Sequence, residues 1–417
     1  MKYSTQSNES YNLKLFEYKY TCCGCTACMS ICQKQAIIMK PDEDGFLYPQ
    51  IIENICVKCE QCIKVCPVRK ENNFVKNLGK PEVYAVKHKN DQIRMTSSSG
   101  GMFVAISDYI LDKGGVIYGA DYNNNFVVCH KRAITKEKRD CLKGSKYVQS
   151  DMGQTYQQVK QDLDNYMYVL FTGTSCQVSG LKTYLNKEYE RLYTQDLVCH
   201  GVPSPKVFED YKAYLTKEYN SEIEYISFRH KYNDDKYGPS TQTMKIIFKN
   251  KKVYIKHSSE DIFYKLFLHN FILRPSCYRC IYTNLQKPGD ITLADYWKIE
   301  KTIPDFQDGK GISLVLVNTK KGKEMFANVK EHLDFKVSNT EDCIQYPLQH
   351  PSPYAPKYYP FWKDYMKWGF LYAAKKYLAL DLIGRMKTQM IRLLKKARLL
   401  ESAQAIKHKL QSNYTRS

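Results

Sequence analysis

Two runs of cysteines lie near the start of the chain, CCGCTACMSIC over residues 22–32 and CVKCEQCIKVCP over residues 56–67. Each run contains the spacing C-x2-C-x2-C-x3-C, and each cysteine of the second set follows its counterpart by 34 residues. A constant offset of this kind indicates an internal duplication. Between the runs, Ala36–Met39 and Phe46–Tyr48 flank a polar turn, which predicts two short strands.

The duplicated spacing is that of bacterial two-cluster ferredoxins, in which three closely spaced cysteines hold one [4Fe–4S] cluster and the fourth ligates the other cluster. By this rule the fourth cysteines are exchanged between the runs. The first predicted ligand set is Cys22, Cys25, Cys28 and Cys66. The second predicted ligand set is Cys56, Cys59, Cys62 and Cys32.

A pair of zinc sites is the alternative interpretation of these runs. Zinc also uses C-x2-C pairs, but it does not require a third cysteine at the same interval. Gln33 departs from the ferredoxin pattern, which usually carries proline there. Cys23 lies outside the spacing, and we interpret it as a spare thiol or as a neighbour of a ligand.

The composition indicates a multidomain globular protein. The chain has 417 residues with 43% hydrophobic and 25% charged residues, a net charge of +20 and 16 cysteines. Its start has no apolar signal segment, and charged residues interrupt the apolar stretch Phe370–Met386. We therefore expect a cytoplasmic protein, where grouped cysteines serve as metal ligands more often than as disulfides.

Beyond residue 80 the pattern alternates between short apolar strands and amphipathic helices. This alternation predicts an α/β domain with a mixed, partly parallel sheet. Five prolines between Pro347 and Pro360 mark a further boundary, followed by a basic amphipathic helical stretch, Phe361–Lys409. The predicted parts are a ferredoxin-like module (1–75), a large α/β domain (81–345) and a proline-rich linker with a basic helical tail (346–417).

A second set of cysteines lies in the large domain. Cys176 and Cys199 each follow a predicted strand, and Cys277 and Cys280 form a C-x2-C pair. Since loops after parallel strands emerge at the same edge of the sheet, these four could ligate a third cluster. Buried free thiols are the alternative, because isolated buried cysteines are common.

Two glycine-containing loops open predicted helices, Ser97–Gly101 and Thr172–Ser175. The free N–H groups and the dipole of a helix N-terminus suit a phosphate, for example the pyrophosphate of a dinucleotide. Neither loop is a GxGxxG fingerprint or a Walker A loop. Ordinary N-capping by serine or threonine is the alternative.

Taken in order, several motifs resemble the coenzyme F420 hydrogenase/dehydrogenase beta-subunit family, with a ferredoxin module fused ahead of it. These motifs extend over most of residues 81–340, and their order is more specific than any single motif. The matching stretches are Ser98–Gly101, Gly144–Tyr147, Gly173–Gln177, Cys199–Pro203, Cys277–Cys280 and Asp290–Trp297.

The resemblance implies an oxidoreductase that carries FAD and a third [4Fe–4S] cluster, held by Cys176, Cys199, Cys277 and Cys280. It implies electron exchange with a ferredoxin or a hydrogenase or dehydrogenase subunit, and hydride exchange with a deazaflavin coenzyme or another metabolite. His200 and Lys146 are the candidate catalytic groups. The implied FAD-binding residues are Ser98, Ser99, Gly100, Gly101, Lys146, Tyr147, Thr174 and Gln177. A non-catalytic electron-transfer subunit of a larger complex is the alternative function.

The positive charge is concentrated at the end of the chain. From residue 385 onward, nine lysines and arginines stand against the single acidic residue Glu401. Such a helix either contacts anionic lipid or an acidic partner, or packs on its own domain. Nucleic-acid binding would rest only on the basic charge and the C-x2-C pairs, so we expect no nucleic-acid partner.

Overall fold

The computed structural model describes residues 14–69, 78–234 and 238–378, together with Met390. The strands are β1 (Ile37–Pro41), β2 (Leu47–Ile51), β3 (Glu82–His88), β4 (Val116–Tyr122), β5 (Val128–Ala133), β6 (Val169–Thr172), β7 (Leu192–Leu197), β8 (Ile223–Asp234), β9 (Gly238–Phe248), β10 (Val253–His257), β11 (Ile291–Asp295), β12 (Ser313–Val317) and β13 (Leu333–Ser338). The helices are α1 (Ala27–Ile31), α2 (Gln61–Lys64), α3 (Asp91–Met95), α4 (Met102–Asp112), α5 (Lys136–Leu142), α6 (Thr155–Asp164), α7 (Ser175–Leu185), α8 (Pro205–Tyr219), α9 (Ile262–Leu268), α10 (Ile299–Thr302), α11 (Lys320–Val329), α12 (Thr340–Cys343), α13 (Tyr358–Trp368) and α14 (Phe370–Tyr377). Short 3-10 turns lie at Lys19–Thr21, Glu53–Ile55, Pro275–Arg279, Pro304–Phe306, Lys330–His332 and Tyr346–Leu348.

The predicted pair of strands between the cysteine runs forms an antiparallel hairpin, β1–β2. The large sheet has eight strands in the order β13-β3-β12-β11-β7-β6-β4-β5. Its neighbours β11, β7, β6 and β4 are parallel, whereas β12, β13 and β5 pair antiparallel with their neighbours. The prediction of a mixed, partly parallel sheet is therefore confirmed. Strands β8, β9 and β10 form a separate antiparallel sheet.

Alternate residues of the central strands enter two different cores, as the two-residue period of a strand requires. On one face of the sheet, Ile117 of β4 packs with apolar residues of α4 and α11, such as Ile106 and Phe326. On the other face, Tyr118 packs with residues of α6 and α7 and with Ala27 of the cysteine-rich module. The module is therefore part of the core on the α6–α7 face.

The direction of the strands brings their carboxyl ends to one edge. Strand β3 is antiparallel to β12, and β12 is antiparallel to β11, so β3 runs in the same direction as β4, β6, β7 and β11. The strand ends at this edge are His88, Tyr122, Thr172, Leu197 and Asp295. We call it the carboxyl edge, and it is where open α/β sheets place their sites.

The chain divides into two compact units, residues 1–258 with 272–353 and residues 259–271 with 354–417. In the second unit Phe271, Phe361 and Tyr377 form an aromatic core with ring centroids 5.1–5.8 Å apart. The predicted tail helix begins as two helices, α13 and α14, separated at Gly369 with a φ of 81°. Apart from Met390, its continuation from residue 379 lies outside the described residues. Within the described residues, no helix has the length and apolar character needed to cross a bilayer.

Candidate functional site

The backbone of the two cysteine runs repeats the duplication seen in the sequence. Gly24 and Lys58, which are equivalent positions, both have a left-handed φ, of 68° and 54°. Thr26 and Glu60, again equivalent, have φ values of 67° and 59°. Left-handed residues reverse the direction of a chain locally, so each loop curls around its cysteines before α1 or α2 begins.

The structure places Cys66 next to the first run rather than its own. Burial raises the pKa of the Cys66 thiol, and the neighbouring Cys22 raises it further. Burial likewise raises the pKa of Cys28, with Cys22 and Cys66 as the next contributors. The four members of the first predicted set are thus brought together, since Cys25 also responds to Cys28 and Cys66.

The second predicted set is brought together in the same way. Burial raises the pKa of Cys62, and Cys59 and Cys32 add to the effect. Cys62 also shares an apolar cluster with Ile37, Cys32 and Cys56. The fold therefore places Cys66 beside the first run and Cys32 beside the second, and the exchange of the fourth ligand stays a prediction that this placement supports.

The spacing of the sulfur atoms bears on the zinc alternative. A Zn–S distance of about 2.3 Å puts tetrahedral thiolates less than 4 Å apart. Among the described residues, the one set of three or more His, Cys, Asp or Glu ligand atoms lying within 4.8 Å of one another is Asp42, Glu43 and Asp44. Within the described part of the chain, no three cysteine sulfurs therefore lie as close together as the ligands of a single zinc ion.

The two sets differ in their distance from solvent. Cys59 is exposed, whereas Cys25 is buried against α7. A Cβ atom added at Gly180 would lie 2.9 Å from the Cys25 sulfur, so glycine is needed for this close approach. We call the set of Cys22, Cys25, Cys28 and Cys66 the inner set, and that of Cys32, Cys56, Cys59 and Cys62 the outer set.

The four cysteines of the large domain converge at the carboxyl edge. Cys176 is in the first turn of α7 after β6, Cys199 follows β7, and Cys277 and Cys280 lie on and after the 3-10 turn Pro275–Arg279. They line one pocket, with an empty volume of about 720 Å³ that is partly open to solvent.

The thiols of these four cysteines lie close enough to influence one another. Burial raises the pKa of Cys199 to about 12, with Cys176 and Cys280 adding to the shift. Burial also raises the pKa of Cys280 to about 11, and Cys176 adds to it. The Val202 N–H donates to the Cys277 sulfur at 3.4 Å. Four thiols around one pocket, with a backbone N–H already aimed at one sulfur, form a donor set suited to a third [4Fe–4S] cluster.

Cys23, which lies outside the ferredoxin spacing, joins the inner set to the large domain. Its thiol lies close enough to those of Cys176 and Cys25 for both to influence its pKa, which is raised well above the usual value. It also lines the pocket of the four large-domain cysteines. Cys23 is therefore a neighbour of two predicted ligands, which agrees with the second interpretation of this residue.

Replacing Cys23 by alanine is expected to leave the iron content unchanged, because both adjacent ligand sets are complete without it. Replacing Cys25 by alanine is the matched comparison, and it should cost about four irons per chain, one cluster's worth. Iron and sulfide analysis of the anaerobically purified proteins measures both. Loss of iron in the Cys23→Ala protein would show that Cys23 is itself a ligand.

The residues predicted for the flavin loop lie along the same edge but not in this pocket. The Ser145 N–H donates to the Ser98 hydroxyl at 2.8 Å. The Gly100 N–H donates to the Ser313 hydroxyl at 2.9 Å, and a Cβ at Gly100 would lie 2.2 Å from the Val86 carbonyl oxygen. The loop before Gly101 is thereby pressed against β3 and β12, with α4 starting directly after it.

The second predicted flavin loop closes as a helix cap. The Thr174 side chain and the Gln177 side chain form a capping box at the start of α7. The Gln177 amide also donates to the Ser150 hydroxyl at 2.9 Å. The loop is therefore N-capped by its own side chains, and Thr174 also lines the pocket beside Cys176.

The two candidate catalytic residues occupy different places. The Lys146 ammonium donates to the carbonyls of Cys141 and Lys143, each at 2.9 Å. Burial lowers the pKa of Lys146 to about 8. His200 lines the cysteine pocket, and its carbonyl accepts from the Ser352 hydroxyl. The structure thus separates the two, with His200 at the cysteines and Lys146 beside α5.

One extended segment, residues 145–150, connects these two places. At its start Ser145 bonds to Ser98, and at its end Ser150 accepts from Gln177. Between them the Tyr147 hydroxyl accepts from Arg229 at 3.0 Å, and the Gln149 side-chain oxygen accepts from Arg274 at 2.9 Å. Hydrogen bonds of this segment therefore connect the Ser98–Gly101 loop with the surroundings of the cysteine sets.

Three basic residues at this border were not predicted from the sequence. Arg229 of β8 holds Asp295 with two hydrogen bonds, at 2.8 and 3.1 Å, and donates to the Ser98 carbonyl. Lys231 donates to the Ser99 carbonyl at 2.7 Å. The third is Arg274. Its position three residues before Cys277 of the C-x2-C pair was the available signal, whereas Arg229 and Lys231 lie in a strand with no motif of its own.

Two family models match the chain. Residues 21–70 match the 4Fe-4S dicluster domain, which spans both cysteine runs. Residues 166–342 match the C-terminal part of the coenzyme F420 hydrogenase/dehydrogenase beta subunit, which spans Cys176, Cys199, Cys277 and Cys280. No curated protein matches the chain.

Among solved structures, one chain of the F420-reducing [NiFe] hydrogenase complex from Methanosarcina barkeri is similar, with 17% identity and a TM-score of 0.42. The similarity covers 71% of this chain and 91% of that one. The two family matches confirm the family that the ordered motifs indicated. Over residues 166–342 the chain matches the coenzyme F420 hydrogenase/dehydrogenase beta-subunit family, a 4Fe-4S dicluster domain lies ahead of that region, and the chain is an iron–sulfur protein of the electron-transferring oxidoreductase type.

Proposed function

We propose that the protein is an iron–sulfur flavoprotein that exchanges single electrons with a redox partner and, through FAD, a hydride with an organic substrate. The observation that carries this proposal is the row of cysteines from the exposed Cys59 through Cys25 and Cys23 to Cys176. Iron–sulfur clusters supply one-electron transfer, and a flavin converts single electrons into the two-electron chemistry of a hydride.

The outer set is the proposed point of contact with the partner. Beside Cys59, the side chains of Ile55 and Val57 are 41% and 60% exposed. Apolar side chains around an exposed redox group suit the docking of another protein, whose interface core excludes water. The partner classes are a ferredoxin or a subunit of a hydrogenase or dehydrogenase.

From the outer set the path runs inward along buried thiols. Cys25 and Cys28 are near Cys66, and Cys23 lies between Cys25 and Cys176, whose thiols both influence its pKa. In the proposed path the four large-domain cysteines are the last group before the flavin. Burial of Cys25 and Ala27 against α7 keeps water away from the inner part of the path.

We propose that FAD lies along the carboxyl edge, held by the Ser98–Gly101 loop, Lys146, Tyr147 and the Thr174–Gln177 turn. The N-terminus of the 11-residue helix α4 and the Lys146 ammonium are suited to the pyrophosphate anion. Lys146, with a pKa of about 8, and His200 at the pocket are the groups able to hold or give a proton during hydride exchange. The proposed substrates are a deazaflavin coenzyme or another hydride-accepting metabolite.

Anaerobically purified protein is expected to contain about 12 irons and 12 sulfides per chain, three cubanes' worth, and one FAD. Reduced ferredoxin should bleach the flavin spectrum. Zinc in place of iron would contradict the cluster assignment. Iron without flavin, after reconstitution with FAD, would favour the alternative of a pure electron-transfer subunit.

Replacing Lys146 by methionine is expected to weaken FAD binding by about tenfold or more, since a hydrogen bond to a charged group contributes about 1.5–3 kcal/mol. The iron content should not change. Lys143→Met is the matched control, because Lys143 pairs with Asp140 at 3.0 Å. Fluorescence titration with FAD measures both affinities, and equal weakening in the two variants would contradict the assignment of Lys146.

A further inference from the structure

Arg274 is a fully buried arginine whose side chain reaches from the large domain into the cysteine-rich module. Its Nε donates to the Cys22 carbonyl at 2.8 Å, and its Nη2 donates to the Leu47 carbonyl at 3.1 Å. The same Nη2 lies 3.7 Å from the Cys22 sulfur, within hydrogen-bonding distance for a sulfur acceptor. The positive charge of the guanidinium therefore lies next to Cys22, a predicted ligand of the inner set.

The surroundings of Arg274 are shaped for this contact. The guanidinium stacks over the Tyr48 ring, with 4.1 Å between its carbon and the ring centroid. A Cβ atom added at Gly24 would lie 2.9 Å from the guanidinium, so the glycine leaves the space that the arginine fills. On the other side, Nη1 donates to Gln149 at 2.9 Å. These contacts fix the orientation of the donor toward Cys22.

Arg274 also touches the second group of cysteines through its backbone. Its carbonyl accepts from the Cys277 N–H at 2.9 Å, at the start of the 3-10 turn that carries Cys277 and Cys280. One residue thus holds Cys277 with its backbone and contacts Cys22 with its side chain. It lies where an electron would pass from the inner set to the large domain.

We propose that Arg274 raises the reduction potential of the inner cluster and so favours electron flow from the outer set inward. This inference rests on the proposed function, because it requires the inner cluster to be present. A cubane with four thiolates gains one negative charge when it accepts one electron. A buried guanidinium hydrogen-bonded to one of those sulfurs stabilises the more negative form, and such bonds are known to set cluster potentials.

The test is an anaerobic redox titration of the full-length protein, followed by electron paramagnetic resonance, with iron counted in every sample. We expect Arg274→Gln to lower the reduction equilibrium constant of the inner cluster by about tenfold, which for one electron is about 59 mV. The midpoint potentials of the other two clusters should not change. The inner cluster is identified by its absence from the Cys66→Ser protein. Arg274→Lys keeps the charge but loses the planar fork, so its shift should be smaller.

Lys206→Gln is the matched control, because it removes one positive charge at the module's turn, where Lys206 donates to the Glu43 carbonyl, and not at Cys22. It should leave the inner potential unchanged. An unchanged inner potential in Arg274→Gln, or an equal shift of all three potentials, would overturn the proposal. Loss of four irons from both Arg274 variants would also overturn it, since Arg274 would then be purely structural. Wild-type protein without iron would instead refute the proposed function itself.

Discussion

Cys66→Ala protein is expected to lose the cluster held by Cys22, Cys25 and Cys28, although Cys66 lies in the other cysteine run. About four of twelve irons should be lost. The physical reason is the close approach of the Cys66 thiol to Cys22 and Cys28 in the fold. Alkylation under anaerobic, non-denaturing conditions, read by mass spectrometry, should then label Cys22 and Cys28, while the outer set stays protected by its cluster.

Cys32→Ala is the reciprocal control, because Cys32 and Cys66 are equivalent positions of the duplication. It should remove the same amount of iron but leave Cys56, Cys59 and Cys62 open to alkylation. The two variants should also differ in stability. The inner set packs against α7, so its loss disturbs the core on that face, whereas the outer set borders solvent. Labelling of Cys56 and Cys59 in the Cys66→Ala protein would contradict the exchanged assignment.

The parts of the fold that follow from local patterns could be predicted from the sequence. The helix predicted after the Ser97–Gly101 loop is found at Met102–Asp112, because its apolar spacing and the preceding Gly101 both point to the same start. The apolar run Phe126–Val128 favours a strand that starts at Phe126, but β5 begins at Val128. The Asn123 side chain accepts from the N–H groups of Asn125 and Val127, which extends the turn, and Phe126 has a left-handed φ of 55°.

For the candidate site, too, some features follow from local sequence patterns and others depend on long-range contacts. The predicted exchange of Cys32 and Cys66 as ligands follows from a known spacing rule and needs no long-range information. The contact of Arg274 with Cys22 joins residues 252 positions apart, and the bridge from Cys23 to Cys176 joins residues from separate domains. Neither has a periodic or spacing signal, because both depend on how the module packs against α6 and α7.

The Cys277→Ser protein is expected to lose about four irons and to stop passing electrons from ferredoxin to its flavin. Cys277 lies among Cys199, Cys280 and Cys176, and its sulfur accepts the Val202 N–H. A serine there offers a weaker iron ligand in a buried position. The module's two clusters should remain reducible, because their eight cysteines are untouched.

Substitution tests this site more cleanly than removal of the module, because Ala27 and Arg274 are fully buried in the intact protein and truncation would uncover both. Cys141→Ser is the matched control, since Cys141 is exposed on α5 and belongs to no ligand set. Stopped-flow mixing with reduced ferredoxin follows the flavin and cluster absorbance separately. A Cys277→Ser protein that retains about 12 irons and reduces its flavin at the normal rate would refute the four-cysteine site. Electrons would then pass from Cys23 to the carboxyl edge without a cluster that needs Cys277.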